Sequence, residues 1–182
     1  MPVSRRALLV AAGLWSLGVR ANLAVPAEVA AALPGARVQG TARLRFMGLN
    51  VYEARLWSGP AAVPDDWANA ALALEIEYAR TLKGSAIAER SLAEMRRQGE
   101  IDATTAQRWL ATMTQLFPDV RQGDRLTAVN RPGLGMQLFA NGQLRGAIDE
   151  PAFAQRFFGI WLARQTSEPA LRTALLGRKD TP

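Results

Sequence analysis

With no cysteine and no histidine among its 182 residues, the chain has no thiol nucleophile, no disulfide, no Ser-His or Cys-His triad and no histidine- or cysteine-based metal site. Its chemistry falls to carboxylates, lysine, arginine, tyrosine and hydroxyls. The stretch GTARLRFMGLNVYEARLW, Gly40 to Trp57, gathers several of these. Leu44 and Phe46 alternate with Arg43 and Arg45, so the apolar residues hold even positions. After Met47-Gly48 they hold odd ones, Leu49 and Val51, with Asn50 and Tyr52 between. A one-residue β-bulge at Met47-Gly48 exchanges faces in this way. Arg43, Arg45, Asn50 and Tyr52 then line one side, and Leu44, Phe46, Leu49 and Val51 the other. Without the bulge, Arg43 and Tyr52 would point oppositely. The sequence therefore predicts that the break lets one arginine and one tyrosine converge on a cleft.

The elements around that stretch follow from periodicity and punctuation. LPGARVQG opens the domain with a turn at Pro34-Gly35, and the prolines of GPAAVPDDW make that segment a loop. Leu72, Leu74, Ile76 and Tyr78 alternate with Ala73, Glu75, Glu77 and Ala79, a half-buried strand. A helix is predicted from about Ser85, as N-cap, to Gly99, and a second from Asp102 to Pro118. GDRLTAV reads as a strand. GMQLFANGQLRGAI reads as a hairpin, because Asn141-Gly142 suits a two-residue type I′ turn. Asp149 caps a strongly apolar helix carrying Phe153, Phe157, Phe158 and Trp161, and Ser167 to Gly177 frames a last short one. Strands, a helical pair, more strands and then helices make an α+β domain, an antiparallel sheet with helices on one face.

About half the residues are apolar and a fifth charged, enough for one core of ordinary size. The formal charge is +6, but Arg5, Arg6 and Arg20 belong to a beginning laid out as an export signal. A basic start precedes an apolar run from Ala7 to Val19, and Val19-Arg20-Ala21 fits a cleavage site. That run, roughly 20 Å as helix, is shorter than a bilayer core of about 30 Å. SRRALL also resembles a twin-arginine export signal. Residues 1–21 are thus expected to be an export signal peptide, and 22–182 a single domain with its core at about 35–177. The expected location is the periplasm, by the Sec or twin-arginine route. The remaining 19 basic and 16 acidic side chains are interspersed, without the basic stripe and interleaved aromatics of a nucleic-acid surface. No nucleic-acid partner and no stable membrane span in the mature chain are expected.

GTARLRFMGLNVYEARLW, LEIEYARTLKGSAIAERSLAEMRRQG, RWLATMTQLFPDVRQGDRL, PGLGMQLFANGQLRG and FAQRFFGIWL…TSEPALRTALLG together resemble the chalcone isomerase-like family, in its bacterial, signal-bearing branch. The resemblance covers roughly residues 35–177. It implies an open-faced β-sandwich: a large antiparallel sheet, helices layered on one face, and a ligand cleft between them. Plant members close the ring of a chalcone. Non-enzymatic relatives are similar to fatty-acid-binding proteins, in which an arginine and a strand tyrosine hold the carboxylate.

Carried over residue by residue, the family arginine best matches Arg43. The catalytic threonine falls on Met47, the tyrosine on Ile87 and the asparagine on Glu94. Donors placed on a developing enolate are worth roughly 3–4 kcal/mol each. Methionine and isoleucine donate nothing, and glutamate carries the wrong charge, so chalcone isomerase activity is not expected and no catalytic residue is assigned. The resemblance implies a cleft that holds a fatty acid or similar amphipathic anion, with Arg43 and Tyr52 as ligand contacts and Asn50 and Glu94 beside them. No metal and no cofactor are expected. The competing readings are a solvated strand arginine for Arg43, a core tyrosine for Tyr52, and a surface partner of Arg90 or Arg97 for Glu94. The competing functions are an isomerase or lyase using Glu94 or Tyr52 as acid or base, and an envelope accessory protein that holds a partner protein.

Overall fold

Alternation along the chain becomes a single sheet in the computed structural model, which describes residues 24–178. The signal-peptide expectation for residues 1–21 lies outside the described residues. Strands β1 (Arg37–Phe46), β2 (Leu49–Ser58), β3 (Leu72–Tyr78), β4 (Arg125–Arg131), β5 (Gly135–Ala140) and β6 (Gln143–Ile148) form an antiparallel meander in chain order. The even side of β3 meets Ala54 and Leu56 of β2 and Leu126 and Ala128 of β4 across the ladder. On this inner side the helices α2 (Gly84–Arg96), α3 (Ala103–Leu116), α4 (Pro151–Leu162) and α5 (Pro169–Leu175) complete the main core. The expected fold class is found.

Local signals set the helix ends. Asp102 caps α3, its carboxylate accepting the Thr105 N–H at 2.9 Å. Lys83, rather than Ser85, holds the N-cap position of α2. Helix α4 begins at Pro151, and Asp149 turns instead to Arg131 at 2.9 Å. Its aromatic stripe is core: Phe157 packs edge-on against Phe117, Phe158 and Trp161, with ring centroids 5.4–6.0 Å apart.

The β1–β2 stretch corrects the sequence reading. Met47 and Gly48 have φ of 49° and 79°, so they form a two-residue hairpin turn and not a bulge within one strand. Asn141 and Gly142 do the same between β5 and β6, at 49° and 82°. A left-handed methionine costs roughly 1–2 kcal/mol, which is why Met-Gly does not announce a turn as Asn-Gly does. The turn alone explains the parity change, because Phe46 faces Leu49 and Arg45 faces Asn50. A bulge does exist, four residues later. Val51 is an extra residue, so Leu44 faces Tyr52 and Arg43 faces Glu53. Opposed residues share a face. Arg43 and Tyr52 therefore lie on opposite sides of the sheet, and the expected convergence does not occur.

The outer face is also built upon. A helix that sequence periodicity did not reveal, α1 (Ala27–Ala32), sets Val29, with Leu33 just beyond it, over Trp57, Ala73 and Val129. Its Glu28 accepts from Arg125 and Thr127, both at 3.0 Å. Beside them Glu75, buried, accepts from Arg55 and from the Trp57 indole, both at 2.8 Å.

Helix α5 lies so close to β1 that a Cβ on Gly40 would stand 2.1 Å from the Ala174 carbonyl oxygen. Gly40→Val must push β1 and α5 apart. Overpacking of this kind costs about 1–3 kcal/mol, and a lower urea midpoint with unchanged slope is the expected result.

Candidate functional site

Between the inner face of the sheet and helices α2 and α4 lies a cavity of about 400 Å³. Its floor is Leu74, Ile76, Leu126, Ala128 and Leu138; Ile87 and Ser91 of α2 and Phe157, Ile160 and Trp161 of α4 cover it. The exposed members of the lining, Arg45, Phe46, Arg80, Ala86, Arg90 and Glu168, form the mouth, at the end of the sheet where the β1–β2 hairpin turns. The volume falls within the roughly 300–1,000 Å³ of small-molecule sites, and an apolar interior with a few polar groups is their usual make-up.

The polar groups of the interior are placed by strand register. Tyr52 on β2 stands directly across from Tyr78 on β3, their rings edge-to-face at 6.3 Å. The Tyr52 hydroxyl accepts the Trp161 indole N–H at 2.9 Å, which leaves its own O–H free to donate. Burial pushes the Tyr52 phenol up to about 12, the Trp161 hydrogen bond opposing it. Burial, with Tyr52 adding to it, pushes Tyr78 further in the same direction. Both are neutral donors at physiological pH.

These are the only two tyrosines of the chain, so the state of both is readable by absorbance. Folded protein is expected to show almost no tyrosinate signal at pH 10.5, where denatured protein is well ionised. The linkage sign follows. The native phenols hold their protons to higher pH than the unfolded ones, so their contribution to stability is complete below about pH 10. It is lost as pH rises toward 12, the Tyr52 value. Urea midpoints falling over that interval check this.

Of the four residues expected to hold a ligand, two line the cavity and two do not. Tyr52 lines it, and so does Glu94, which is buried. Glu94 also pairs with Arg90 at 2.6 Å and Arg97 at 3.5 Å, the partners foreseen for it along α2. Arg43 is a correction: half exposed on the outer face, it holds Glu53 at 2.9 Å, as a strand arginine facing a carboxylate should. Asn50 sits exposed at the hairpin end and accepts from Arg45 at 3.1 Å. Of the positions matched to catalytic residues, Ile87 and Glu94 line the cavity, whereas Met47 is at the hairpin tip, outside the lining.

Arg80 is a candidate site residue that the sequence pattern does not single out. It lines the cavity mouth and makes no ion pair among the described residues. The signal was present: Leu72, Leu74, Ile76, Tyr78 and Arg80 are one even-numbered series, and only the last falls beyond the end of β3. Arg45 and Arg90 share the mouth, but Arg45 bonds Asn50 and Arg90 is engaged by Glu94.

A family model described as chalcone isomerase-like matches residues 37–177. An uncharacterized protein of Haemophilus influenzae (strain Rd) is 29% identical over 139 residues, which are 76% of this chain and 67% of that relative. Among solved structures, the crystal structure of a fatty-acid binding protein from Arabidopsis thaliana superposes with a TM-score of 0.62. Its identity is 11%, over 79% of this chain and 88% of the plant protein.

Proposed function

Because the chain belongs to the chalcone isomerase-like family, a family fold shared with a fatty-acid binding protein, we propose that it binds a fatty acid or similar amphipathic anion without making or breaking a bond. The observation that carries this is the union of an apolar cavity of about 400 Å³ with a guanidinium at its mouth, Arg80, that has no ion pair among the described residues. The hydrocarbon tail lies along Leu74, Ile76, Leu126 and Ala128, where each buried CH₂ contributes about 0.8 kcal/mol. The carboxylate meets Arg80 through a charge-assisted hydrogen bond, with the neutral hydroxyls of Tyr52 and Tyr78 as further donors within the cavity. The proposal includes export of the protein, through the signal read in residues 1–21.

Organic extraction of protein purified without detergent, followed by mass spectrometry, tests this. A fatty acid or lipid present in stoichiometric amount, and depleted in Arg80→Ala, is the expected result. An empty protein that also ignores added fatty acid would sink the proposal.

One observation favours a second reading, an isomerase or lyase on an unidentified substrate: Glu94 lies in the cavity wall, where an acid or base would be needed. Glu94→Gln separates the two. Binding predicts ligand retention within about threefold of the native protein, since the carboxylate is already satisfied by Arg90 and Arg97; catalysis by Glu94 predicts turnover that this variant abolishes.

A further inference from the structure

The hairpin that forms part of the cavity mouth ends in apolar side chains that nothing covers among the described residues. Phe46 is 66%, Met47 86% and Leu49 58% exposed. They surround a turn, Met47-Gly48, whose left-handed backbone ordinarily selects asparagine or aspartate with glycine. The equivalent turn between β5 and β6 follows that habit with Asn141-Gly142. A methionine in this conformation is conformationally unfavourable, and a water-facing cluster of three large apolar groups adds a solvation cost.

We propose that this tip inserts into the surface of an anionic lipid bilayer, presenting the cavity mouth to the headgroup layer. Two observations fix the occupant. The first is charge. Arg45 adjoins the tip, and Arg80 and Arg90 lie at the same mouth. Of the carboxylates in the lining, Glu94 is held by Arg90 and Arg97, which leaves Glu168 alone against the arginines. An apolar point backed by arginines is complementary to acyl chains beneath anionic headgroups. The second is shape. A stable protein interface needs about 800 Å² on each partner, and the narrow end of a two-stranded hairpin is a projection rather than such a patch. The same residues join the tip to the cavity, since Arg45 and Phe46 belong to both. The inference rests on the proposed lipid ligand for its purpose, as a route of ligand exchange, but docking is measured without any ligand.

The absence of cysteine from the chain makes the test site-specific. Met47→Cys carries an environment-sensitive nitrobenzoxadiazole label in the full chain. Leu134→Cys, exposed in the β4–β5 turn at the opposite end of the sheet, carries the same label as the control. With vesicles of phosphatidylglycerol and phosphatidylcholine, the label at position 47 is expected to brighten and shift to the blue, and the label at 134 to stay unchanged. Adding Phe46→Asp to the tip variant should lower the apparent vesicle affinity about tenfold or more. Pure phosphatidylcholine vesicles should give a weaker response. Equal responses at both positions, or no response at 47, overturn the proposal. So does a change at 47 that follows protein concentration without vesicles, which makes the tip a contact between protein molecules. A tip that responds in protein unable to retain fatty acid upholds docking while the cavity proposal fails, so the two failures are distinguishable.

Discussion

Arg80→Ala is expected to weaken the proposed fatty-acid binding by about ten- to a hundredfold, and Arg43→Ala to change it by less than twofold. A hydrogen bond to a charged group contributes roughly 1.5–3 kcal/mol net, and each 1.4 kcal/mol is tenfold in affinity. The exposure of Arg80 at the mouth places its contribution toward the lower end. Arg80→Glu sets like charges together and should exceed the alanine loss. Arg43 lies on the far side of the sheet with its guanidinium on Glu53, and an exposed pair of that kind is worth about 0–1 kcal/mol of stability. Calorimetric titration of one long-chain fatty acid into the three variants measures this. A loss confined to Arg43→Ala would return the ligand to the outer face and contradict the site described here.

The largest loss of stability is expected on the outer face. Glu75 is 3% exposed and accepts from both the Trp57 indole and Arg55. Glu75→Ala leaves the indole N–H buried without its acceptor, which costs about 1–3 kcal/mol. It also removes one carboxylate from an arginine only 12% exposed in its side chain. Breaking a buried pair costs about 3–5 kcal/mol; Arg55 retains Glu53 and Glu77, so a total near 3 kcal/mol is expected. For a domain of this size that is a fall of about 6–12 °C in Tm. Glu77→Ala, half exposed, should stay within about 1 kcal/mol. Differential scanning calorimetry of the two variants reads the contrast, and equal shifts would show that Glu75 is not the anchor.

The two hairpins show what was legible in the sequence. Asn141-Gly142 is a turn by residue type, and the backbone is that turn. Met47-Gly48 has the same backbone with an unfavourable residue, so the sequence shows its parity change without showing its cause. Parity cannot separate the cases: a two-residue turn and a one-residue bulge both exchange odd and even. Alternation locates strand β3, but the strand is buried on both faces and not half-buried, and its even series runs on past Tyr78 to Arg80 at the mouth. Alternation reports one buried face and is silent about a short helix covering the other, so it gives no sign that Glu75 is buried. Helix α1, six residues long, is too short for periodicity to declare. Tyr52 lines the cavity, and Glu94 both lines it and holds the Arg90 and Arg97 partners that helical spacing offers. Arg43 failed because its position followed from the register of β1 on β2, and one bulge at Val51 decides that register.

A fatty acid carrying a photoreactive diazirine near the end of its tail tests the central claim most directly. Irradiated with the full-length protein and mapped by peptide mass spectrometry, it is predicted to mark β3, β4 and α4 around Ile76, Ala128 and Phe157, and unlabelled fatty acid should compete the labelling away. Adducts on α1 or the outer face of the sheet, or labelling that no competitor reduces, would contradict a ligand held between the sheet and its helices.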